Sequence, residues 1–238
     1  MTRLIPLAAW ALLLHSSLAC AATDLASQLA KAASSADPAV VRLALAARAC
    51  ALESGAVDPG ARLTLIDYSK PSTERRLWVF DLQTAQVLYA EHVAHGRSSG
   101  ENLARHFSNA NGSHQTSLGL FRTAETYQGG NGYSLRMDGL EPGINDQARP
   151  RQIVMHGAPY VNPEMALHQG RLGRSYGCPA VRPAVARPLI DSIKEGQLLF
   201  AYYPDSDWLA QSRFLKCETA RSGLAALYSG GNRAGAAP

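Results

Sequence analysis

One cysteine stands where both its sulfur and its backbone can do chemistry: Cys178, in the run Ser175-Tyr176-Gly177-Cys178-Pro179. Gly177 lets a substrate carbonyl come close, and the N–H groups around Gly177 and Cys178 can hold a developing oxyanion, the largest single source of stabilisation in acyl transfer. Pro179 biases Cys178 toward extended backbone and so helps aim the sulfur. A free thiol ionises near pH 8.5 or so, and attack at neutral pH therefore needs a base. His156 is the best placed candidate, because it ends the apolar run Ile153-Val154-Met155, precedes Gly157 and can project from a strand end into a cleft. Ser175 could orient the imidazole, as could a backbone carbonyl. Taken singly, a cysteine such as Cys178 is more often a small buried residue than a nucleophile, and a histidine such as His156 more often a strand-end surface residue. Together they form a nucleophile and base for acyl transfer.

Other polar residues carry less specific patterns. Arg151, Arg171, Arg174 and Arg182 flank the motif and could meet carboxylates through bidentate contacts, with Arg174 the first choice. His92, His95 and His106 could be grouped with His156, His168 or Cys178 around a metal, but no His-x-x-x-His pair falls on a believable helix. His92 and His95 lie three apart in an expected strand, which puts them on opposite faces. The expectation is no metal and no cofactor.

The elements that must position these residues begin after the first 22 positions. Arg3, the apolar run Leu4 to Leu14 and the small residues Ser16 to Ala22 form the three parts of a secretory signal peptide, with cleavage expected near Ala21 or Ala22. The apolar run is too short to span a bilayer, so no transmembrane helix is expected once it is removed. Cys20 raises lipid attachment as an alternative, although Leu18 sits two residues before it where such signals prefer three. Without Cys20, three cysteines remain in an oxidising compartment, and they cannot all pair. A Cys50–Cys217 disulfide with Cys178 free is the expected arrangement; two buried, unpaired thiols is the other that the spacing permits. The balance of 23 Lys+Arg against 19 Asp+Glu is too slight and scattered to indicate nucleic-acid binding.

A composition of 46% hydrophobic and 18% charged residues fits a folded protein with one sizeable core. Residues 23–60 read as a helical N-terminal segment, with Asp37-Pro38 capping a second helix. The Val40, Ala44, Ala47 and Ala51 stripe, with Leu43 and Cys50 beside it, is packing surface. Residues 61–204 then shift to short β-branched and aromatic runs and read as a β domain with long loops, in which Leu63 to Tyr68, Leu77 to Phe80 and Val87 to Tyr89 are expected as strands of an antiparallel meander. Later strands are expected around Leu120-Phe121, Tyr133 to Arg136, Gln152 to Met155 and Leu198 to Tyr203. A short C-terminal helix is expected over Val185 to Lys194, with Pro188 in its first turn. Residues 205–238 form a C-terminal extension, disordered from Ser229 onward. The fold class is mainly β, sandwich-like, with helices at either end.

On these residues the chain resembles the bacterial L,D-transpeptidase catalytic domain family, with the YkuD-like fold. Its signature is His-Gly, a variable gap, then Ser-x-Gly-Cys, which here is His156-Gly157 followed by Ser175-Tyr176-Gly177-Cys178. Ser117 to Phe121 and Tyr133 to Leu140 extend the likeness, which runs from about Asp67 to Tyr203. The resemblance implies that Cys178 attacks the carbonyl joining diaminopimelate to D-alanine in a peptidoglycan tetrapeptide stem, and that an amine of a second stem resolves the thioester as a 3-3 cross-link. His156 would move the proton and Ser175 would support its ring. The backbone at Tyr176, Gly177 and Cys178 would hold the oxyanion, and Tyr176, Arg174 and Gly157 would contact substrate. Tyr176 stands where many members carry a second histidine, and Pro179 to Arg182 lacks the usual asparagine, so substrate preference is open. The same first half-reaction serves a carboxypeptidase or amidase, and a catalytically silent wall-binding protein is the third reading. The expected partners are peptidoglycan stem peptides, the expected place the periplasm.

Overall fold

The computed structural model describes residues 25–231, so the signal-peptide reading, Cys20 and the last seven residues lie outside the described residues. Helix α1 covers 25–32 and α2 Pro38–Glu53. Asp37 caps α2 by accepting the Ala39 N–H at 2.7 Å, and Pro38 takes the position where a missing N–H costs nothing. Half of its buried residues are alanines, and the others are Val40, Val41, Leu43 and Cys50. Small side chains allow the helix to be covered on more than one flank, by strand β1 (Arg62–Asp67) and by α6 (Glu218–Gly231).

The body is one eight-stranded sheet in the order β3-β2-β1-β8-β4-β5-β6-β7. The remaining strands are β2 (Leu77–Asp81), β3 (Gln86–Glu91), β4 (Gly119–Gly129), β5 (Gly132–Gly139), β6 (Val154–Gly157), β7 (Ala180–Val181) and β8 (Leu198–Tyr202). The mainly β reading holds. The first three strands, β1, β2 and β3, pair as the expected antiparallel meander, and β8 inserts between β1 and β4, parallel to β1 and antiparallel to β4. Every residue of β8 is buried, as expected of an unbroken apolar run at the centre of a sheet. Beyond β3 the chain doubles onto the opposite edge: Ala94 bridges Ala180, its N–H donating to the Ala180 carbonyl at 2.8 Å, so the sheet nearly closes on itself.

That closing segment is anchored by Arg76, whose side chain is fully buried. Its guanidinium donates to the carbonyls of Val93 and Lys70 and to Nδ1 of His95 at 2.7 Å. His95 is therefore a neutral structural ring; burial and then the Arg76 charge push it down to about 3, and its Nε2 faces the Gly100 carbonyl. His92, its supposed partner in a strand, lies with it in irregular chain after β3.

Helix α3 (Pro163–Gln169), capped by Asn162, and α5 (Ser206–Gln211) are elements the sequence pattern did not reveal. Helix α4 spans Pro183–Ile193, starting two residues before the expected helix, so Pro188 falls in its interior on an exposed flank. A disulfide joins Cys50 of α2 to Cys217, their Cα atoms 5.9 Å apart, just ahead of α6. Helix α6 continues through Gly231, where the sequence reads as the start of a disordered tail.

Candidate active site

Strand register brings the two candidate groups to one place. β7 pairs parallel to β6 with Ala180 beside His156, and this sets Cys178, two residues earlier, against Val154, two residues before the histidine. The Val154 N–H points at the Cys178 sulfur at 3.4 Å, while the thiol faces the Gln152 carbonyl at 3.6 Å. Cys178 is part-exposed and is the free cysteine among the described residues. Burial pushes its thiol up, opposed by the Val154 N–H and by the charge of Arg151.

His156 is 4% exposed, and burial pushes its imidazole down, with the Gly157 carbonyl acting the other way. Nδ1 lies 3.0 Å from that carbonyl, which can only accept, so Nδ1 carries the hydrogen and Nε2 holds the free lone pair. No hydrogen bond joins the ring to the thiol among the described residues. Both shifts favour the neutral thiol and imidazole over an ion pair.

Ser175 does not touch the imidazole. Its hydroxyl donates to the Cys178 carbonyl at 2.7 Å and accepts the Gly177 N–H at 3.1 Å, which ties the nucleophile turn to itself. The Gly177 N–H is thereby consumed, leaving the N–H groups of Tyr176 and Cys178, which have no acceptor among the described residues, as the donors able to hold an oxyanion. Gly177 is needed for packing: its φ is +121°, and a Cβ there would lie 2.8 Å from the Gln115 carbonyl and 2.9 Å from Ile153. It is buried, and the space that a side chain would take is filled by Gln115 and Ile153. Gly157 likewise serves helix contact, since a Cβ would come within 2.8 Å of Ala186 in α4.

The arginines are already engaged. Arg174 donates to Glu101 at 2.6 Å and to the Gly100 carbonyl at 2.9 Å, and Arg171 reaches the same carboxylate at 2.8 Å. Arg182 grips Glu91 with two bonds of 2.9 and 2.7 Å. Arg151 meets no carboxylate; it donates to the carbonyls of Ser108 and Gln115 and the hydroxyls of Ser113 and Ser117, spanning the 108–117 loop beside Cys178. Arg174, the favoured substrate contact, braces the 97–101 turn through one Nη.

Tyr176 is 64% exposed, and beside it lie two residues that sequence reasoning passed over. The Arg97 guanidinium sits 4.6 Å from the Tyr176 ring centroid, and the His114 ring lies 4.6 Å away on its own approach. Tyr160, after β6, was also missed; burial, and then the charge that Cys178 carries once ionised, push its phenol up to about 12. Nothing local marks these residues, because each reaches the site from a different loop. No group of three or more His, Cys, Asp or Glu suited to a metal ion occurs among the described residues, and no described helix is long and apolar enough to cross a membrane.

A family model described as L,D-transpeptidase catalytic domain matches residues 32–202, more than two thirds of the chain. No curated protein matches. Among solved structures, the chain is similar to the L,D-transpeptidase from Mycobacterium smegmatis at 13% identity, over 60% of this chain and 59% of that one, with a TM-score of 0.38. It is similar to L,D-transpeptidase 1 of Mycobacterium tuberculosis at 13%, over 60% and 62%, with a TM-score of 0.34. The helical cell shape determining protein Pgp2 of Campylobacter jejuni gives 12%, over 73% and 55%, with a TM-score of 0.43. The chain thus spans about three-fifths of the length of these proteins. On the extent of the family-model match, the chain belongs to the L,D-transpeptidase catalytic domain family.

Proposed function

We propose that this chain is an exported cysteine acyltransferase that cross-links peptidoglycan stem peptides, with Cys178 as nucleophile and His156 as general base. The observation that carries the reading is the β6–β7 register, which seats the one free thiol among the described residues against Val154, two residues from a histidine whose Nε2 is available. In the first half-reaction Nε2 takes the thiol proton as sulfur attacks the carbonyl before D-alanine. The Tyr176 and Cys178 N–H groups hold the oxyanion, and the imidazolium returns the proton to the leaving amine. A carbon–sulfur bond has formed and the amide carbon–nitrogen bond has broken. An amine of a second stem then attacks the thioester, losing its proton to His156, and the thiol is regenerated. Because ring and thiol share no hydrogen bond, a rotation of the Cys178 side chain or a bridging water completes the proton path; such contacts commonly tighten only with substrate in place. Ser175, Gly177 and Gly157 support the turn and strand without touching the reacting atoms.

The Cys50–Cys217 disulfide supports folding in an oxidising compartment, in keeping with the signal-like first 22 residues and a periplasmic site of action. Purified tetrapeptide-bearing wall fragments, incubated with the protein and followed by mass spectrometry, test the reading. D-alanine loss together with cross-linked dimers is the expected result, and Cys178→Ala should abolish both. D-alanine loss alone would make the protein a carboxypeptidase. No change, or equal turnover by Cys178→Ala, overturns the enzymatic reading.

A further inference from the structure

The arginines around the nucleophile divide into two kinds. Arg171 and Arg174 share the Glu101 carboxylate, Arg182 is paired with Glu91, and Arg151 is spent on loop carbonyls and hydroxyls. Arg97 is exposed and has no carboxylate partner among the described residues. It is nonetheless held: the guanidinium lies 4.6 Å from the Tyr176 centroid, one Nη donates to Nδ1 of His114 at 3.1 Å, and the His114 ring packs on Tyr176. Its backbone is fastened to the nucleophile turn, since the Arg97 N–H donates to the Ser175 carbonyl at 2.8 Å. The cation is thus pre-oriented by stacking while its remaining N–H groups are free, which suits a guanidinium for two-pronged recognition of a carboxylate.

We infer that Arg97, seated on Tyr176 and steadied by His114, binds the C-terminal carboxylate of the donor peptide. The inference rests on the proposed function and names the substrate group that this side of the site selects. The Arg97 main chain is bonded to Ser175, three residues before Cys178, so its side chain rises from the edge of the nucleophile turn. In a peptide cut before its last residue the terminal carboxylate carbon lies within about 4 Å of the attacked carbonyl carbon, a span shorter than an arginine side chain. The pull is on the leaving residue, so it acts on which peptides are accepted as donors.

Binding tests this separately from turnover. In the Cys178→Ala protein, the dissociation constants of a tetrapeptide with a free C-terminal carboxylate and of its C-terminal amide are compared with those of Cys178→Ala carrying Arg97→Ala, Arg97→Lys or His114→Ala. The acid is expected to bind about ten- to a hundredfold more tightly than the amide, as hydrogen bonds to a charged group allow. Arg97→Ala should bring the acid to the level of the amide, Arg97→Lys should keep part of the preference, and His114→Ala should reduce it less. Equal affinity for acid and amide with Arg97 present, or equal weakening of both by Arg97→Ala, overturns the inference. Peptide binding that fits the inference, without turnover by the Cys178 protein, would remove the enzymatic reading and leave the carboxylate site.

Discussion

Replacing Ser175 by alanine separates two roles that the sequence cannot tell apart, support of the histidine ring and closure of the nucleophile turn. The structure assigns the hydroxyl two turn contacts, to the Cys178 carbonyl at 2.7 Å and from the Gly177 N–H at 3.1 Å. Each neutral hydrogen bond contributes about 0.5–1.5 kcal/mol, and a buried N–H left without a partner costs about 1–3 kcal/mol. The loss for Ser175→Ala is therefore roughly 2–4 kcal/mol. In a chain of this size each kcal/mol moves the melting midpoint by about 2–4 °C, which gives a fall of roughly 5–15 °C. The turn also carries the nucleophile and both free N–H donors, and a shift of about 1 Å there can cost about a hundredfold in rate. Urea and thermal unfolding, together with the rate of thioester formation by mass spectrometry, measure the two effects. A Ser175→Ala protein within about 0.5 kcal/mol of the parent, altered only in the pH dependence of its rate, would refute the turn role and restore the ring-supporting one.

Three further outcomes follow from the same contacts. Because burial raises the Cys178 thiol and lowers His156, alkylation by iodoacetamide should be slow at neutral pH and rise only above the ordinary thiol range; a reactive plateau reaching below pH 7 would mean an ion pair at rest. Arg151→Gln removes a charge that lowers the thiol and unties the 108–117 loop, so the alkylation midpoint should move to still higher pH, and an unchanged midpoint would contradict this. His95 is pushed down to about 3 from an unfolded value near 6.5, so the unfolded chain binds the extra proton and stability falls as pH drops through that window. The parent should lose up to about 1.4 kcal/mol per pH unit there relative to His95→Gln; parallel stability curves would contradict it. Asp67 and Glu141, raised by burial, act in the opposite sense in both proteins and cancel from the comparison.

The kinds of chemistry available were legible in the chain itself. A cysteine after Ser-Tyr-Gly and a histidine ending an apolar run are local patterns, as are the Asp37-Pro38 cap and the strand runs, because capping, φ limits and side-chain alternation act over a few residues. What each polar group touches was decided only by tertiary structure. The β6–β7 register put Cys178 beside Val154, and the bend of the turn handed the Ser175 hydroxyl to Gly177 and Cys178 instead of His156. Glu101 and Glu91, far along the chain, claimed three of the four arginines expected to wait for substrate. Arg97, His114 and Tyr176 meet from three loops with no shared motif. Ion pairs and stacking depend on distances of a few ångströms between residues tens of positions apart, and spacing in a sequence does not specify such distances until the sheet has closed.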